Sequence, residues 1–483
     1  MMVRYFSIVL FLFVAVTQVS HAGDSDYYRK ASEQGDAEAQ YNLGQLYYKG
    51  HGVEQDYQKA VKWYRNAAEQ GHARAQHKLG LMYDKGEGVK QDYRKAVEWY
   101  RKAADQGNVS AQFNLGVMYR KGEGVEQDYR KAVEWFSKAA EQGHARAQYK
   151  LGTMYAKGQG VEQDYRKAMG WYHKAAEQKY VYAQFSLGLM YDKGEGVEQD
   201  YRKAVEWYRK AADQGDARAE YILGAMYRKG LGVEQDYRKA MGWYHKAAEQ
   251  KYVYAQFSLG TMYRKGLGVK QDYRKAVEWY RKAADQEDTP AEYSLGMMYD
   301  KGQGVEQDYR KAVEWYRKAA DHGDARAEYI LGAMYHKGEG VKQDSRKAAE
   351  WYRKAAEQGV AGAQYNLGGM YFLGQGVVQN DRKAIEWCRK AADQGHAKAQ
   401  YSLGDMYFEG NRVKKDYQKA MKWYRKAAEQ GYARAQFDLG MMYRKGQGVG
   451  QDYSEAFKWS SKAAAQEYAE AQYILKIMES EDR

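Results

Sequence analysis

The sequence predicts an all-α fold, an α/α solenoid built from helical hairpins, and three observations carry that prediction. The chain of 483 residues contains one proline, a residue that helix interiors exclude. It contains 50 glycines, which fit short helices separated by regular turns. A fixed period in the range of 20 to 50 residues is typical of solenoids. Every tryptophan follows one 36-residue step, at Trp63, Trp99, Trp135, Trp171, Trp207, Trp243, Trp279, Trp315, Trp351, Trp387, Trp423 and Trp459.

Each 36-residue unit has the pattern of an antiparallel pair of helices. In the copy Asp36–Gly71, small and apolar residues at helical spacing predict a first helix over Ala37–Lys49. Gly50 is placed to end that helix in the left-handed conformation. Asp56 is placed as the N-cap of a second helix over Tyr57–Gln70.

The repeats leave no room for a separate domain. We expect a signal peptide at residues 1–22, a capping half-helix at 23–35, about twelve tandem repeats at 36–467 and a C-terminal capping helix at 468–483.

A glycine recurs in the middle of the first helix, at Gly44 in the first copy. Such a glycine costs about 1 kcal/mol relative to alanine, so we expect a close approach of the neighbouring helix, under the Trp63 ring. Lys476 replaces this glycine in the last copy, where we expect no later helix to pack. The glycine that closes the hairpin is also replaced in four copies, where we expect either left-handed strain of about 1 kcal/mol or a reshaped turn. The four residues are Lys179, Lys251, Glu287 and Glu467.

The N-terminus predicts an exported protein. Met1–Arg4 is basic, Phe6–Val16 is apolar, and Ser20–Ala22 has the small residues of a cleavage site, with the cut after Ala22. The alternative is an uncleaved membrane anchor, but a spanning helix needs about 20 apolar residues. We therefore expect a periplasmic or secreted protein that is not an integral membrane protein.

The only cysteine, Cys388, excludes a framework of intrachain disulfides. It stands where most repeats carry a tyrosine on the buried stripe, so we expect a half-buried structural thiol, with pairing between chains left open. The net charge of +13 amounts to about one excess positive charge per repeat and forms no patch. Nucleic acid is therefore not an expected partner, whereas anionic envelope polymers remain possible partners.

We expect no catalytic centre, cofactor or metal. His72 and His144 occupy equivalent positions two repeats apart, which corresponds to about 20 Å, too far to share one ion. Acids such as Glu69 and Asp92 recur with the repeat, whereas catalytic carboxylates are normally singular and buried.

The first copy contains a set of residues that recurs down the chain: Ala39, Gln40, Tyr41, Leu43, Gly44, Tyr47, Gly50, Gly52, Val53, Asp56, Ala60, Trp63, Tyr64, Ala67, Ala68 and Gly71. This set resembles the Sel-one-like repeat family, a relative of the tetratricopeptide repeats. The 36-residue period and the Gly-x-Gly-Val loop separate it from the 34-residue tetratricopeptide unit. The resemblance implies a right-handed superhelix whose first helices line a concave surface, and scaffold work in bacterial envelope and host-interaction proteins.

Three first-helix positions that vary between copies, equivalent to 38, 42 and 45, share one face of the helix and predict a partner-binding stripe. The mixture of arginine, tyrosine and aliphatic residues suits protein contacts, although a drifting solvated face would also vary. The candidate residues are Arg74, Lys78, Arg146, Lys150, Tyr182, Ser186, Leu189, Arg218, Ile222, Tyr254, Ser258, Arg326 and Ile330.

The predicted function is a non-catalytic scaffold that binds a protein partner in the concave groove. The alternative is an envelope protein that binds or hydrolyses wall glycans or β-lactams, which only cysteine-rich relatives of the family suggest. Glu162–Gly188 recurs unchanged as Glu234–Gly260, which indicates recent duplication within the repeat array.

Overall fold

The computed structural model describes residues 26–481, and within that range it contains twenty-six helices and no strand. The predicted signal peptide at 1–22, with its cut after Ala22, lies outside the described residues. The helices alternate as first and second members of consecutive hairpins, in agreement with the predicted all-α, solenoid-like fold.

The first helices are α2 Ala37–Lys49, α4 Ala73–Lys85, α6 Val109–Lys121, α8 Ala145–Lys157, α10 Val181–Lys193, α12 Ala217–Lys229, α14 Val253–Lys265, α16 Thr289–Lys301, α18 Ala325–Lys337, α20 Ala361–Leu373, α22 Ala397–Glu409, α24 Ala433–Lys445 and α26 Ala469–Glu481. The second helices are α1 (residues 26–33), α3 Tyr57–Glu69, α5 Tyr93–Asp105, α7 Tyr129–Glu141, α9 Tyr165–Glu177, α11 Tyr201–Ala212, α13 Tyr237–Glu249, α15 Tyr273–Ala284, α17 Tyr309–Asp321, α19 Ser345–Glu357, α21 Asp381–Asp393, α23 Tyr417–Glu429 and α25 Tyr453–Ala464.

The helix ends form as the sequence predicts. The Asp56 carboxylate accepts a hydrogen bond from the Lys59 backbone N–H at 2.9 Å and begins α3. Gly50 adopts a left-handed conformation with φ of 70°, and its N–H donates to the Leu46 carbonyl oxygen at 2.8 Å. In this repeat the local sequence therefore marks where α2 ends and where α3 begins.

The described helices fall into two compact units, one that ends at Trp243 (unit 1) and one that begins at Tyr244 (unit 2). Each unit has a core of the same composition. In unit 1, Leu43, Ala60, Tyr64 and Ala67 are fully buried. Alanine at the helix contacts lets the backbones approach closely, while leucine and tyrosine fill the remaining space.

The aromatic ring over the mid-helix glycine is the tyrosine after the tryptophan, so the prediction of a tryptophan ring is wrong. A Cβ added at Gly44 would lie 2.7 Å from Cδ1 of Tyr64, and one added at Gly188 would lie 2.6 Å from Cδ1 of Tyr208. Trp63 itself is half-buried. Glycine recurs at this position because the tyrosine ring packs directly on the backbone.

Buried glutamines connect successive helices. The side-chain amide of Gln76 donates to the Ala68 carbonyl oxygen at 3.0 Å, and Gln106 donates to Gln76 Oε1 at 2.7 Å. The same pattern recurs with a glutamate in two copies of unit 2, where His322 Nδ1 lies 2.9 Å from Glu292 Oε2 and the Gln358 amide donates to Glu328 Oε2 at 2.8 Å. These bonds satisfy polar groups that would be costly to bury without partners.

The second loop glycine has a packing role besides its left-handed conformation. A Cβ at Gly88 would lie 2.3 Å from the Tyr57 carbonyl oxygen of the preceding repeat. Arg412 occupies the equivalent position with φ of 66°, and its Nη1 lies 2.5 Å from Asp381 Oδ1. An ion pair therefore accompanies the one described copy in which this loop glycine is replaced.

The four non-glycine residues at the hairpin-closing position adopt the left-handed conformation that the sequence predicts as one of two outcomes. Their φ values are 60° for Lys179, 61° for Lys251, 62° for Glu287 and 63° for Glu467. The turn therefore keeps its geometry, and the backbone carries the steric cost.

Candidate partner-binding surface on the first helices

The predicted stripe lies on an accessible side of the first helices, here called the first-helix face and defined by the positions equivalent to 38, 42 and 45. The position-38 residues reach furthest into solvent. The exposed candidates are Arg74, Arg146, Tyr182, Tyr254 and Arg326, and the half-buried candidates are Lys78, Lys150, Ser186, Leu189, Arg218, Ile222, Ser258 and Ile330.

Two of the half-buried candidates contribute to the core as well as to this face. Ile222 packs against the buried residues of unit 1, and Ile330 packs against those of unit 2. Their side chains therefore offer a partner less surface than the sequence pattern suggests.

An arginine at position 38 of one repeat lies over the aromatic ring at position 41 of the preceding repeat. The guanidinium carbon is 4.3 to 5.3 Å from the ring centroid, within the range of a cation–π interaction. The pairs are Arg74 with Tyr41, Arg146 with Phe113, Arg218 with Phe185, Arg326 with Tyr293 and Arg434 with Tyr401.

One aromatic group on this face lies in unit 1, and we call Arg146, Tyr149, Tyr180, Tyr182 and Arg218 the aromatic–arginine cluster. The ring centroids of Tyr149 and Tyr180 are 5.3 Å apart, and those of Tyr180 and Tyr182 are 5.5 Å apart. The Arg218 guanidinium lies 5.2 Å from the Tyr182 centroid, and 46% of Tyr182 remains exposed. The cluster is thus packed internally while one ring still faces solvent.

Asp216 fixes the orientation of Arg218. The two side chains form a fork, with Nη2 2.6 Å from Oδ2 and Nε 3.1 Å from Oδ1. Hydrogen bonding to Asp216 raises the pKa of Arg218, so the guanidinium remains charged. A bidentate pair of this kind holds the guanidinium plane in place before any partner arrives.

Tyr149 and Tyr180 are members of the cluster that the sequence prediction missed. Tyr149 occupies a framework position, equivalent to Tyr41, and Tyr180 is the N-cap of α10. Tyr180 makes no side-chain capping bond, whereas His144 Nδ1 caps α8. Loss of a cap costs about 1 kcal/mol, so an aromatic residue at an N-cap is a signal that sequence reading could have used.

Positive charge surrounds the cluster. Burial lowers the pKa of Lys150, and the neighbouring cations Arg120, Arg146 and Lys157 lower it further. At the equivalent position two repeats earlier, away from the cluster, burial likewise lowers the pKa of Lys78, with smaller contributions from nearby lysines. Anionic groups of a partner would relieve this repulsion.

Other reactive groups have structural explanations. Cys388 is 4% exposed, its thiol donates to the Ala399 carbonyl oxygen at 3.4 Å, and burial raises its pKa to about 12, so it is neutral at physiological pH. His72 caps α4 through Nδ1. Over residues 26–481, no three histidine, cysteine or carboxylate side chains come together as metal ligands would, and no helix has the length and apolar character needed to span a bilayer.

Comparison with known families identifies the repeat. The model of the Sel1 repeat matches residues 26–36 and then twelve consecutive segments, from 37–72 to 433–468. The chain belongs to the Sel1 repeat family. Proteins of this family are generally protein-interaction scaffolds and are typically non-catalytic.

Two solved structures resemble this Sel1 repeat protein over most of their length. The crystal structure of c5321, a protective antigen present in uropathogenic Escherichia coli strains and displaying an SLR fold, is 40% identical, with a TM-score of 0.73 over 93% of this chain and 97% of that one. A Sel1 repeat protein from Oxalobacter formigenes is 36% identical, with a TM-score of 0.55 over 68% of this chain and 93% of that one. Among curated proteins, no sequence matches the chain.

Proposed function

We propose that this Sel1 repeat protein is a non-catalytic scaffold that captures a protein partner on the first-helix face of unit 1. The observation that carries the proposal is the aromatic–arginine cluster, with Tyr182 exposed at its surface and Arg218 held by Asp216. Tyrosine and arginine are enriched among residues that dominate binding energy at protein interfaces. Because the cluster is already packed, little side-chain entropy is lost when a partner binds.

The charge around the cluster defines the chemistry of the partner. Arg146 and Lys150 lie on the same face as the tyrosine rings, and the pKa of Lys150 is lowered by burial and then by its cationic neighbours. A partner segment with an apolar or aromatic centre and flanking carboxylates would match both features.

We infer that the partner is met in the bacterial envelope or outside the cell. The basic, apolar and small-residue pattern before Gly23 supports export. The 40% identical relative is a protective antigen, which is compatible with an exported protein. Mass analysis of the protein purified from cell fractions tests this: a mature chain beginning at Gly23 in the periplasm or medium supports export, and an intact N-terminus in the cytoplasm contradicts it.

The binding proposal is tested by affinity capture from envelope fractions and host-cell lysates. The wild-type chain is compared with a variant carrying Arg146→Ala, Tyr182→Ala and Arg218→Ala. The matched control carries Arg94→Ala, Arg130→Ala and Tyr57→Ala, which removes the same residue types from second helices of the same unit. Thermal melting confirms that all three proteins are folded.

A protein that both the wild type and the control capture, and that the cluster variant loses, supports the proposal. We expect at least a tenfold loss of affinity in the cluster variant, since removal of a hot-spot residue costs about 2 kcal/mol or more. Capture by all three proteins would place the partner elsewhere on the chain, and capture of no protein would contradict the scaffold function.

A further inference from the structure

One repeat of unit 2 contains a cavity at Cys388, which stands where most repeats carry an aromatic ring; Ser460 replaces the ring in one later copy. A Cβ at Gly404 would meet the Tyr424 ring at 2.6 Å, as at the equivalent glycines of regular repeats. In the repeat before it, Cys388 takes the place of the ring, and a Cβ at Gly368 would meet only backbone oxygen and nitrogen within 3.2 Å. The resulting cavity has a volume of about 270 Å³ and is lined by Gly368, Phe372, Cys388 and Met406 among others.

A second truncation in the same repeat opens this cavity to solvent. Gly369 lies on the first-helix face, at the position equivalent to 45, where every other full repeat carries a side chain. Gly369 is exposed, whereas the residues at the equivalent positions are half-buried. The cavity therefore has a mouth on the face where the position-45 side chain would otherwise stand.

No backbone or packing requirement explains Gly369. Its φ is not positive, and a Cβ added there would meet no atom within 4 Å. Glycine inside a helix costs about 1 kcal/mol relative to alanine. Cys388 and Gly369 are thus both smaller than the residues at the equivalent positions, and both line the same cavity. Only Cys388 replaces a side chain of the core.

The outer end of this space is built to accept a hydroxyl group. In some repeats the tyrosine hydroxyl donates to the position-45 side chain of its own repeat, as Tyr172 does to Thr153 Oγ1 and Tyr424 to Asp405 Oδ1, both at 3.3 Å. In the Cys388 repeat that position is Gly369, so the acceptors that line the cavity come from the next repeat, namely Ser402 and the same Asp405. A carboxylate has about four lone-pair sites, so Asp405 can accept a second hydrogen bond.

We propose that this cavity binds a phenolic ring from outside the chain, packed on the Gly368 backbone in place of the missing tyrosine, with its hydroxyl donating to Ser402 or Asp405. The volume suffices, since an apolar cavity of about 150 Å³ already holds benzene. The Cys388 sulfur and the Met406 thioether offer the polarisable contacts that aromatic rings favour. The phenol is either a small molecule or the side chain of a tyrosine in a peptide.

The test measures binding of p-cresol, the tyrosine side-chain analogue, to the full chain by calorimetry and ligand-observed NMR. We expect one saturable site with a Kd of about 0.1–1 mM, typical of an efficient ligand of this size. Cys388→Tyr fills the cavity and should weaken binding at least tenfold. Gly369→Leu closes the mouth at a position with room for a side chain, so it should weaken binding without impairing folding.

Further arms test the hydroxyl and identify the source of the ring. Toluene has the same shape without a hydroxyl and should bind several-fold more weakly than p-cresol. N-acetyltyrosine amide should compete with p-cresol if the site takes a peptide side chain, and p-cresol binding without such competition assigns the site to small phenols. Three results would overturn the proposal. They are the absence of saturable p-cresol binding, p-cresol binding by both Cys388→Tyr and Gly369→Leu that is as tight as by the wild type, and an affinity for toluene equal to that for p-cresol.

Discussion

Two tyrosines, Tyr182 in unit 1 and Tyr254 in unit 2, lie in identical stretches of sequence but in different surroundings. Each packs against a neighbouring tyrosine: the Tyr182 ring is tilted against Tyr180 with centroids 5.5 Å apart, and the Tyr254 ring lies edge-to-face with Tyr252 at 5.6 Å. The difference lies in the following repeat, which supplies Arg218 in the first case and a proline, Pro290, in the second. Tyr182 is 46% exposed and Tyr254 is 54% exposed.

The comparison shows that a binding surface on this array belongs to pairs of repeats. The duplicated segment supplies the rings, and the next repeat decides whether a fixed guanidinium lies over them. Asp216 and Asp288 occupy equivalent N-cap positions, but only Asp216 has an arginine two residues later. A copied repeat therefore acquires a new surface as soon as its neighbour differs.

The largest effect is expected from giving Tyr182 the surroundings of Tyr254. Arg218→Pro should weaken capture of the partner at least tenfold, about 1.4 kcal/mol, because the guanidinium over Tyr182 is lost. Pro290 occupies the equivalent position near the start of α16, so the fold accepts proline there. Affinity is measured with the captured partner, alongside a melting curve. Unchanged affinity in a folded variant would exclude Arg218 from the interface.

A smaller effect is expected from removing each ring. Tyr182→Ala should lower the free energy of unfolding by about 0.5–1 kcal/mol more than Tyr254→Ala, because it removes the cation–π contact with Arg218, whereas Pro290 stands at the equivalent position after Tyr254. Urea denaturation of the two variants gives the difference directly. Equal destabilisation would mean that Arg218 adds nothing to the packing of Tyr182.

The smallest effect is expected from placing an arginine near Tyr254, as Arg218 is placed near Tyr182. Burial raises the pKa of Asp288, so ionisation of this carboxyl opposes folding. The stability that the protonated carboxyl contributes is present at low pH and is lost as the pH rises through its folded-state pKa. Pro290→Arg should place a guanidinium beside Asp288 and lower that pKa. The variant should then gain stability relative to the wild type as the pH rises to neutrality.

Melting curves across this pH range and an NMR titration of the Asp288 carboxyl check the gain. The control is Pro290→Ala, which removes the proline without adding a charge. If the alanine variant shows the same pH dependence as the arginine variant, the ion pair has not formed.

The helices and turns could be predicted because they depend on local sequence. The first helix was expected at Ala37–Lys49 and occurs there, while the second ends at Glu69, one residue before its expected end. The ring over Gly44 was assigned to Trp63 and belongs to Tyr64. Neighbouring residues on a helix point about 100° apart, and a periodic pattern alone does not establish which of them meets the facing helix.

The surface could be predicted only in part. Tyr182 and Arg218 stand out because their positions vary between copies, but Tyr149 occupies a framework position and Tyr180 a cap. Their contact depends on how residues more than thirty positions apart meet, which is a property of packing between repeats. The cavity at Cys388 likewise requires Gly369 and Asp405, whose side-by-side placement no single repeat reveals.

The central claim is that the aromatic–arginine cluster of unit 1 contacts the partner, and hydroxyl-radical footprinting of the captured complex tests it most directly. Tyrosine side chains are readily oxidised, so each ring reports its own exposure. The account predicts that partner binding protects Tyr182 strongly and leaves Tyr254 as reactive as in the free chain. Protection of Tyr254 without Tyr182, or protection confined to second helices around Tyr57, would contradict it.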